Sequence, residues 1–183
     1  MFMILATLLI PTPTTAGSTP GCTPQRPAAQ VAGRASRYDS VSTTVGAARV
    51  TVCYGRPKMN GRAIFGALVP FDTLWRTGAN EPTILHTDAP IEIAGLRLEA
   101  GSYALYTVPR ASGEWTLVVN GATEQWGHES SYASVRDQEL GRRPVTAVRT
   151  GEPIEAFTIE ATPDALHLEW ERTRVVVPLK AVR

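Results

Sequence analysis

The sequence Ile91-Glu-Ile-Ala-Gly-Leu-Arg-Leu98 decides the fold class of this chain. Apolar residues alternate with polar ones on both sides of Ala94-Gly95, which is typical of two strands joined by a two-residue turn. An amphipathic helix would repeat its apolar residues every three or four positions, whereas these residues repeat every two. The stretch therefore predicts a β-hairpin with one buried face.

The same alternation continues on both sides of this hairpin. Strand patterns with a period of two cover residues 49–54, 103–108, 115–119, 157–159, 166–171 and 174–179. Turn signals such as Pro109, Asn120-Gly121 and Pro163 separate them, and strands at intervals of about 8–12 residues are typical of a sandwich or barrel. We predict an all-β fold, an antiparallel β-sandwich or flattened barrel, with at most a short helix at residues 134–140.

The composition of the chain argues against several classes of protein. The 183 residues include 18 Lys and Arg against 17 Asp and Glu, so the formal net charge is +1. This balance disfavours a nucleic-acid binder, which needs a sustained excess of positive charge. Hydrophobic residues at 43% and charged residues at 19% exclude wholesale disorder. No apolar run approaches the ~20 residues of a membrane span, and the length suits one domain.

The N-terminal region has the pattern of an export signal. The first ten residues are almost wholly apolar, and small residues stand one and three positions before a cut after Ala16. A basic n-region is missing, because no Lys or Arg precedes Arg26. We predict a signal peptide over residues 1–16, a flexible linker over 17–37 that is rich in Pro, Ala, Gly and Thr, and one β-sandwich domain over 38–183. The protein is then periplasmic or extracellular.

Cys22 and Cys53 are the two cysteines. In an exported chain they are able to form one disulfide, and the alternative is that Cys53 stays a buried thiol in its strand. The sequence leaves both alternatives open. Gly21 before Cys22 also raises the question of a lipid anchor, which the polar and Pro residues between Cys22 and the apolar run disfavour.

One long connection, residues 55–82, breaks the strand pattern. Long irregular connections in compact domains are often functional. This one carries more positive than negative side chains: Arg56, Lys58, Arg62 and Arg76 against Asp72 and Glu81. The local excess of positive charge stands out in a nearly neutral protein.

Several motifs in and after this connection occur in a fixed order. They are Tyr54-Gly-Arg-Pro57, Gly61-Arg-Ala-Ile-Phe-Gly66, Leu68-Val-Pro-Phe71, Trp75-Arg-Thr-Gly-Ala-Asn-Glu81, Ala100-Gly-Ser-Tyr-Ala-Leu-Tyr106, Glu114-Trp-Thr-Leu-Val-Val-Asn120 and Gln125-Trp-Gly127. With them, about residues 38–180 resemble the bacterial domain of unknown function 2911 family. The resemblance implies an exported, β-rich protein with no assigned activity and no catalytic residues to carry over. His86 and His128 depart from the family pattern, so it gives neither a role.

Residues 75–81 are the strongest candidate for a ligand site. Arg76 offers a planar fork for a carboxylate or phosphate, and Asn80 offers both a donor and an acceptor. Glu81 is able to accept a proton or a sugar hydroxyl, and Trp75 to stack on a sugar ring. The alternative is structural: Arg76 pairs with Glu81 or Asp72, Asn80 caps the turn and Trp75 fills the core.

Three further residues are candidates for the same site. Arg56 and Arg62 would extend it into an anion pocket, and the alternative is that they are solvated loop charges. Trp126 would line a cleft together with Trp75.

Motifs for metal binding and catalysis are absent from the sequence. His86, His128 and His167 lie about 40 residues apart, and no His-x-His, His-Glu-x-x-His or paired-Cys spacing occurs. Gly-x-Ser-x-Gly and the phosphate-binding Gly-x-x-x-x-Gly-Lys are missing as well. We predict no metal, no cofactor and no catalytic residue.

The sequence therefore favours an exported, non-catalytic β-sandwich that binds a small polar or anionic ligand, or a cell-envelope saccharide, through residues 55–81. One alternative is a hydrolase with Glu81 or Asp72 as its acid or base. Another is a structural or protein-interaction domain whose motif residues satisfy one another. The sequence does not specify the oligomeric state.

Overall fold

A computed structural model describes residues 21–126 and 129–182 of the chain. Every strand pair in it is antiparallel, and the nine strands form a single sheet that is not closed. The all-β prediction is confirmed. The predicted signal peptide at residues 1–16 and the position of His128 lie outside the described residues.

The elements follow one another with few helices. The strands are β1 (Arg37–Val45), β2 (Ala48–Arg56), β3 (Thr83–Thr87), β4 (Ile91–Ile93), β5 (Leu96–Leu98), β6 (Gly101–Val108), β7 (Glu114–Asn120), β8 (Glu139–Ala161) and β9 (Ala165–Ala181). The helical segments are α1 (Ala28–Ala32), α2 (Glu129–Tyr132) and a 3₁₀ helix (Ala133–Gln138). The strand order in the sheet is β1-β2-β3-β6-β7-β8-β9-β4-β5.

The hairpin that decides the fold class forms as predicted. Ile91 pairs with Leu98 and Ile93 with Leu96. The turn residues Ala94 and Gly95 both have positive φ, 48° and 77°. Such a turn twists in the same sense as the strands it joins, which explains why a glycine follows the alanine.

The sheet folds over a main core, in which β2 faces β8, and a smaller apolar cluster around Tyr106 and Tyr132 is separate from it. The hydroxyl of Tyr54 accepts a hydrogen bond from the Ile159 backbone (3.1 Å), and the rings of Tyr54 and Phe157 pack edge to face. Trp115 and Trp170 are 3% and 2% exposed, as their alternation predicts. Aromatic side chains thus fill the centre of the space between the two layers of the folded sheet.

The C-terminal strands are longer than the sequence pattern suggests. The separate patterns at residues 166–171 and 174–179 belong to one 17-residue strand, β9. Glu171 interrupts it with a positive φ of 55°, and the register against β8 shifts nearby. Pro178 lies where the pairing of β9 changes from β8 to β4. Its lack of a backbone N–H therefore removes no hydrogen bond between strands.

The turn signal at Asn120 has a different role from the predicted one. No tight hairpin forms there, because the chain continues through the 3₁₀ helix before β8 begins. The Asn120 side chain donates to the Val135 carbonyl (2.8 Å) and accepts from the Ala122 N–H (2.7 Å). The short helix predicted at residues 134–140 is present over Ala133–Gln138.

Residues 22–36, the N-terminal strap, contact the domain. A disulfide joins Cys22 to Cys53 of β2, with the two Cα atoms 5.5 Å apart. The Gln25 amide donates to the carbonyls of Thr123 and Gln125, both at 3.1 Å. The described part of the predicted linker is therefore held at several points, while its boundaries at residues 16 and 37 stay predictions. In the described ranges, no helix is long and apolar enough to cross a membrane.

Candidate functional site

The connection loop, residues 57–82, joins β2 to β3 and is anchored to β6. Trp75 forms an antiparallel β-bridge with Thr107 of β6. The Trp75 N–H donates to the Thr107 carbonyl at 2.7 Å, and the Thr107 N–H donates to the Trp75 carbonyl at 2.9 Å. Asp72 donates its backbone N–H to the Pro109 carbonyl at 2.8 Å. These bonds hold the second half of the loop against a central strand.

The loop backbone takes an uncommon course at residues 77–80. Thr77 and Asn80 have φ values of 55° and 68°, and the Gly78 φ is 158°. A positive φ at the β-branched Thr77 is strained, and strain of this kind persists where surrounding contacts impose it. Thr77 is 1% exposed, and its carbonyl accepts the Thr83 hydroxyl at 2.5 Å. The contacts thus hold a strained turn in place next to the candidate residues.

Gly55 explains why the Tyr54-Gly-Arg-Pro57 motif accompanies the Trp75–Glu81 motif. A Cβ at position 55 would overlap the carbonyl oxygen of Ala79. A Cβ at Gly78 would lie 2.9 Å from the carbonyl oxygen of Gly55. The strained turn therefore packs backbone to backbone on β2, and this close approach needs glycine.

Trp75 belongs to the core. Its side chain is 9% exposed and stacks on Trp170, with ring centroids 5.9 Å apart. Its indole N–H donates to the Gly78 carbonyl at 3.1 Å, which further fixes the strained turn. The structural alternative holds for this residue, since little of the ring is left to stack on a sugar.

A cavity of about 430 Å³ lies beside the strained turn. Its polar lining comes from Ser36, Arg62, Thr73, Arg76 and Asn80. Its apolar lining includes Pro57, Leu68, Pro70, Leu74, Trp75 and Trp170. No carboxylate is among the described residues that line it, so its side chains are net positive.

Arg76 carries the least compensated charge in this cavity. Its Nη1 donates to the Asn80 carbonyl at 2.8 Å. Within residues 21–126 and 129–182, no carboxylate lies within salt-bridge distance of it. Burial lowers the pKa of Arg76, and the nearby Tyr106 hydroxyl partly offsets this effect. The arginine is thus partly desolvated without an anionic partner among the described residues, a state that an anion from outside would stabilise.

The two other arginines predicted for the site behave differently. Arg62 lines the cavity while donating to the carbonyls of Met59 (2.9 Å) and Lys58 (2.7 Å), which holds its side chain in one position. Arg56 does not line it: Arg56 pairs with Asp39 at 3.2 Å and donates to the Thr158 hydroxyl at 2.9 Å.

Glu81 lies outside the cavity, in a buried ion pair. It is 2% exposed, and both of its carboxylate oxygens accept from Nη1 of Arg34 in the strap, at 2.9 and 2.7 Å. Burial, together with the charge of Glu81, raises the pKa of the adjacent Tyr38 to about 12, and Arg34 opposes this rise. Glu81 therefore fastens the loop to the strap.

The structure places Asp72 and Trp126 away from the cavity lining as well. Asp72 is exposed and pairs with Arg110 at 3.0 Å. Trp126 is covered by the guanidinium groups of Arg26 and Arg34, at 5.2 and 5.8 Å from its ring centroid. Of the seven predicted ligand residues, the cavity unites Trp75, Arg76, Asn80 and Arg62.

Sequence reasoning missed Ser36 and Arg34, which reach the site from the strap. Ser36 lines the cavity, and Arg34 neutralises Glu81. Their Pro- and Ala-rich surroundings are typical of a linker. The signal that could have placed this segment against the domain was Cys22, because a disulfide to Cys53 would hold it there.

A second cavity of about 560 Å³ lies near Phe65 and Trp115. It contains Arg110, Arg149 and Arg172, but the first pairs with Asp72 and the last donates to the Gly151 carbonyl. Glu171 lines this cavity too and supplies a carboxylate. Unlike the cavity at Arg76, this cavity has a carboxylate among its lining residues, but no carboxylate of the described residues lies within salt-bridge distance of Arg149 or Arg172.

His86 on β3 and Asp88, which follows the strand, have separate hydrogen-bond partners. Nδ1 of His86 lies 2.7 Å from the Ser102 hydroxyl, whereas Asp88 accepts the Arg49 backbone N–H at 2.7 Å. Among the residues for which coordinates are described, no three His, Cys, Asp or Glu side chains cluster as a metal site would require.

Fold and site together define an antiparallel β-sandwich domain in which a cavity lined by Arg62 and Arg76 lies beside a strained connection. Residues 36–179 match a protein family described as Protein of unknown function (DUF2911), and the chain belongs to this family. The resemblance noted in its motifs is confirmed. No curated protein and no solved structure matches the chain.

Proposed function

We propose that this protein binds a small anionic ligand, without catalysis, in the cavity at Arg76. The supporting observation is the charge of Arg76: it is partly desolvated, and its hydrogen bond goes to a backbone carbonyl instead of a carboxylate. A guanidinium in this state gains most from a planar anion such as a carboxylate, which accepts two parallel hydrogen bonds.

The surroundings of Arg76 favour a ligand with both a charge and an apolar part. Arg62 adds a second positive charge, and Asn80 adds a side chain that both donates and accepts. Apolar walls with a few convergent polar groups are the usual composition of small-molecule sites. A saccharide is less well supported, because Trp75 is committed to the core and Trp126 to two arginines.

The hydrolase alternative has little support from the geometry. Its two candidate acids, Glu81 and Asp72, are each paired with an arginine, and neither lines the cavity. A general acid or base must reach the substrate within hydrogen-bond distance.

The structural alternative is favoured by a specific observation and remains the second candidate. Trp75 and Glu81 are both satisfied inside the fold, by the core and by Arg34. On this alternative, Arg76 only supports the turn through the Asn80 carbonyl, and no anion would stabilise the protein.

A thermal-shift assay separates the two candidates. Acetate, succinate, citrate and phosphate are tested against the wild type and Arg76→Gln, with glucose and N-acetylglucosamine as neutral compounds. Arg97→Gln is the matched control, because Arg97 is 55% exposed and lies on β5 outside the cavity lining. A ligand at about one hundred times its Kd adds about 2.7 kcal/mol of stability, which raises Tm by several degrees.

We expect at least one organic anion to stabilise the wild type and Arg97→Gln but not Arg76→Gln. Arg62→Gln serves as a second cavity variant if Arg76→Gln fails to fold. Binding at this cavity is ruled out if no anion raises Tm of the wild type, or if both cavity variants respond like the wild type.

We propose export as well, to the periplasm or the cell exterior. The Cys22–Cys53 disulfide supports it, because disulfides persist in oxidising compartments. The same bond leaves Cys22 without a thiol for a lipid anchor. Mass spectrometry of the protein from its native host tests both points: we expect a chain beginning at Gly17, two hydrogen masses lighter than the reduced form. A retained Met1 or a lipid adduct on Cys22 contradicts the proposal.

A further inference from the structure

We propose that the ligand of the Arg76 cavity is an anionic amphiphile, a carboxylate that carries an apolar chain. This inference rests on the proposed function and specifies the ligand class. The carboxylate lies at Arg76, and the chain lies against the apolar wall formed by Leu68 and Pro70.

Two loop segments of different chemistry contribute to the walls of the cavity. Residues 68–70, Leu-Val-Pro, contribute apolar surface. Residues 76–80 contribute the guanidinium of Arg76, the side chain of Asn80 and backbone polar groups. A ligand that satisfies both walls must itself have an anionic part and an apolar part, since a fully polar ligand would leave apolar surface in contact with water.

Leu68 is one of three large apolar side chains that are exposed in the described part of the chain. It is 46% exposed, and the other two are Leu140 and Val148. Of these three, only Leu68 lines the Arg76 cavity. An exposed leucine at the rim of a cavity is a position that an apolar ligand would cover.

A tight turn holds Leu68 at this rim. The Gly66 N–H donates to the Val69 carbonyl and the Val69 N–H to the Ile64 carbonyl, both at 2.9 Å. Gly66 has a φ of 86°, and a Cβ there would collide with the ring of Phe71. Hydrogen-bonded backbone on both sides of Leu68 therefore fixes the position of this residue at the cavity.

The charge of the cavity selects the sign of the ligand. Arg62 and Arg76 line it, and no lining side chain in residues 21–126 and 129–182 opposes them. A cationic or neutral amphiphile of the same length would meet the same apolar wall but would leave Arg76 without a partner. Charge complementarity thus distinguishes the proposed ligand from an apolar ligand without negative charge.

The test is a chain-length series measured by isothermal titration calorimetry. Butanoate, hexanoate, octanoate and decanoate are titrated into the wild type, and decyltrimethylammonium is the cation of matched chain. Burial of each methylene strengthens binding about fourfold until the cavity is filled, so decanoate is expected to bind far more tightly than butanoate. Decyltrimethylammonium is expected not to bind.

Two matched variants locate the chain. Leu68→Ser is expected to weaken decanoate binding at least threefold and to leave butanoate binding unchanged. Leu140→Ser removes a leucine of similar exposure, 42%, outside the cavity lining, and is expected to change neither. Circular dichroism checks that each variant is folded. If a variant fails to fold, the chain-length series on the wild type still tests the proposal.

The outcomes separate this inference from the proposed function. Affinity that is independent of chain length, or lost equally in both leucine variants, overturns the amphiphile and leaves a simple anion site. Equal binding of the decyl cation overturns it as well, because the attraction would then be only apolar. If none of the carboxylates binds, or if Arg76→Gln binds them all as the wild type does, the proposed function fails too.

Discussion

Gly55 shows how a single residue fixes the site. The backbone of β2 and the strained turn at residues 77–80 approach so closely that a Cβ at position 55 has no space beside the Ala79 carbonyl. The obstacle is backbone, which cannot rotate away as a flexible side chain would. The conformation of the turn, and with it the position of Arg76, therefore depends on the absence of a side chain at position 55.

We predict that Gly55→Ala destabilises the protein by several kcal/mol, in the range of severe overpacking. The measurement is the urea unfolding midpoint. Gly33→Ala is the control, because a Cβ there meets nothing within 4 Å and its φ is not positive. If Gly55→Ala unfolds at the same urea concentration as Gly33→Ala, the close approach of the turn to β2 is incorrect.

His86 is a second residue with a predictable effect. It is partly buried on β3, and burial lowers its pKa from the ordinary value of 6.5. The unfolded chain then takes up a proton at a higher pH than the folded chain does. The contribution of His86 to stability is complete above about pH 6.5, and it decreases as the pH falls towards the folded-state pKa.

We predict that His86→Gln removes this part of the pH dependence. The amide of glutamine keeps a hydrogen-bonding group for the Ser102 hydroxyl, which lies 2.7 Å from Nδ1 of His86. The free energy of unfolding is measured at about pH 7.5 and about pH 5.5. The difference between the two values should be smaller in the variant; an unchanged difference would show that another group causes it.

At the scale of elements, the N-terminal strap and the connection loop form one unit. Arg34 of the strap meets Glu81 of the loop, and both side chains are largely buried, at 12% and 2% exposed. Removing one partner of such a pair leaves a buried charge alone, which costs more than the pair contributes. The two elements therefore constrain one another next to the cavity.

We predict that Glu81→Gln lowers the free energy of unfolding by about 3–5 kcal/mol. In a double-mutant cycle, Arg34→Gln should add much less in the Glu81→Gln background than it does alone. The exposed pair of Arg97 and Glu99 is the matched control, and Glu99→Gln should cost under about 1 kcal/mol. Additive effects of the two buried substitutions would contradict the direct contact.

The disulfide constrains the same strap from its other end. Cys22 and Cys53 are separated by 31 residues, and a crosslink of this span reduces the freedom of the unfolded chain. We predict that Cys22→Ala lowers stability by roughly 2–4 kcal/mol. Dithiothreitol should lower Tm of the wild type and leave Tm of the variant unchanged. If reductant has no effect on the wild type, the two cysteines are not joined.

At the scale of the whole molecule, the larger of two hydrophobic clusters connects residues that lie far apart in the chain. Its buried residues come from β1 and β2, from the connection loop, and from β8 and β9; Val45, Tyr54, Ile64, Phe157 and Trp170 are examples. Side chains that share one core lose their packing together. The fold is therefore expected to unfold as a unit.

We predict a single cooperative transition in urea. Tryptophan fluorescence reports on Trp75, Trp115 and Trp170 in the core, and far-ultraviolet circular dichroism reports on the sheet. The two curves should coincide. A separate early transition in fluorescence would show that the connection loop unfolds independently of the sandwich.

Local patterns were sufficient to predict the sheet and much of its content. The alternation at residues 91–98 and 115–119 depends on the period of the strand, which is a property of neighbouring residues. The lengths of β8 and β9 were not predictable in the same way. Glu171 and Pro178 look like strand ends in sequence, but their neighbours in space allow the strand to continue through them.

The candidate site was predictable by segment and not by residue. The motif at residues 75–81 contains Arg76 and Asn80, which line the cavity, and Trp75, which lines it and also packs in the core. It also contains Glu81, which lies outside the cavity and pairs with the strap. Nothing in the local sequence separates these roles, because both depend on which distant residues approach. Arg34, 47 positions away, decides the role of Glu81.

The amino-acid sequence by itself thus determined the family, the β class and the segment that carries the candidate site, since all three depend on residue type and short-range spacing. Only the tertiary structure decided which charges are compensated. Arg56 pairs with Asp39 and Glu81 with Arg34, whereas within residues 21–126 and 129–182 Arg76 pairs with a carbonyl and no carboxylate. Pairing of charges depends on distances in space, and the folded chain brings together residues that the sequence keeps far apart.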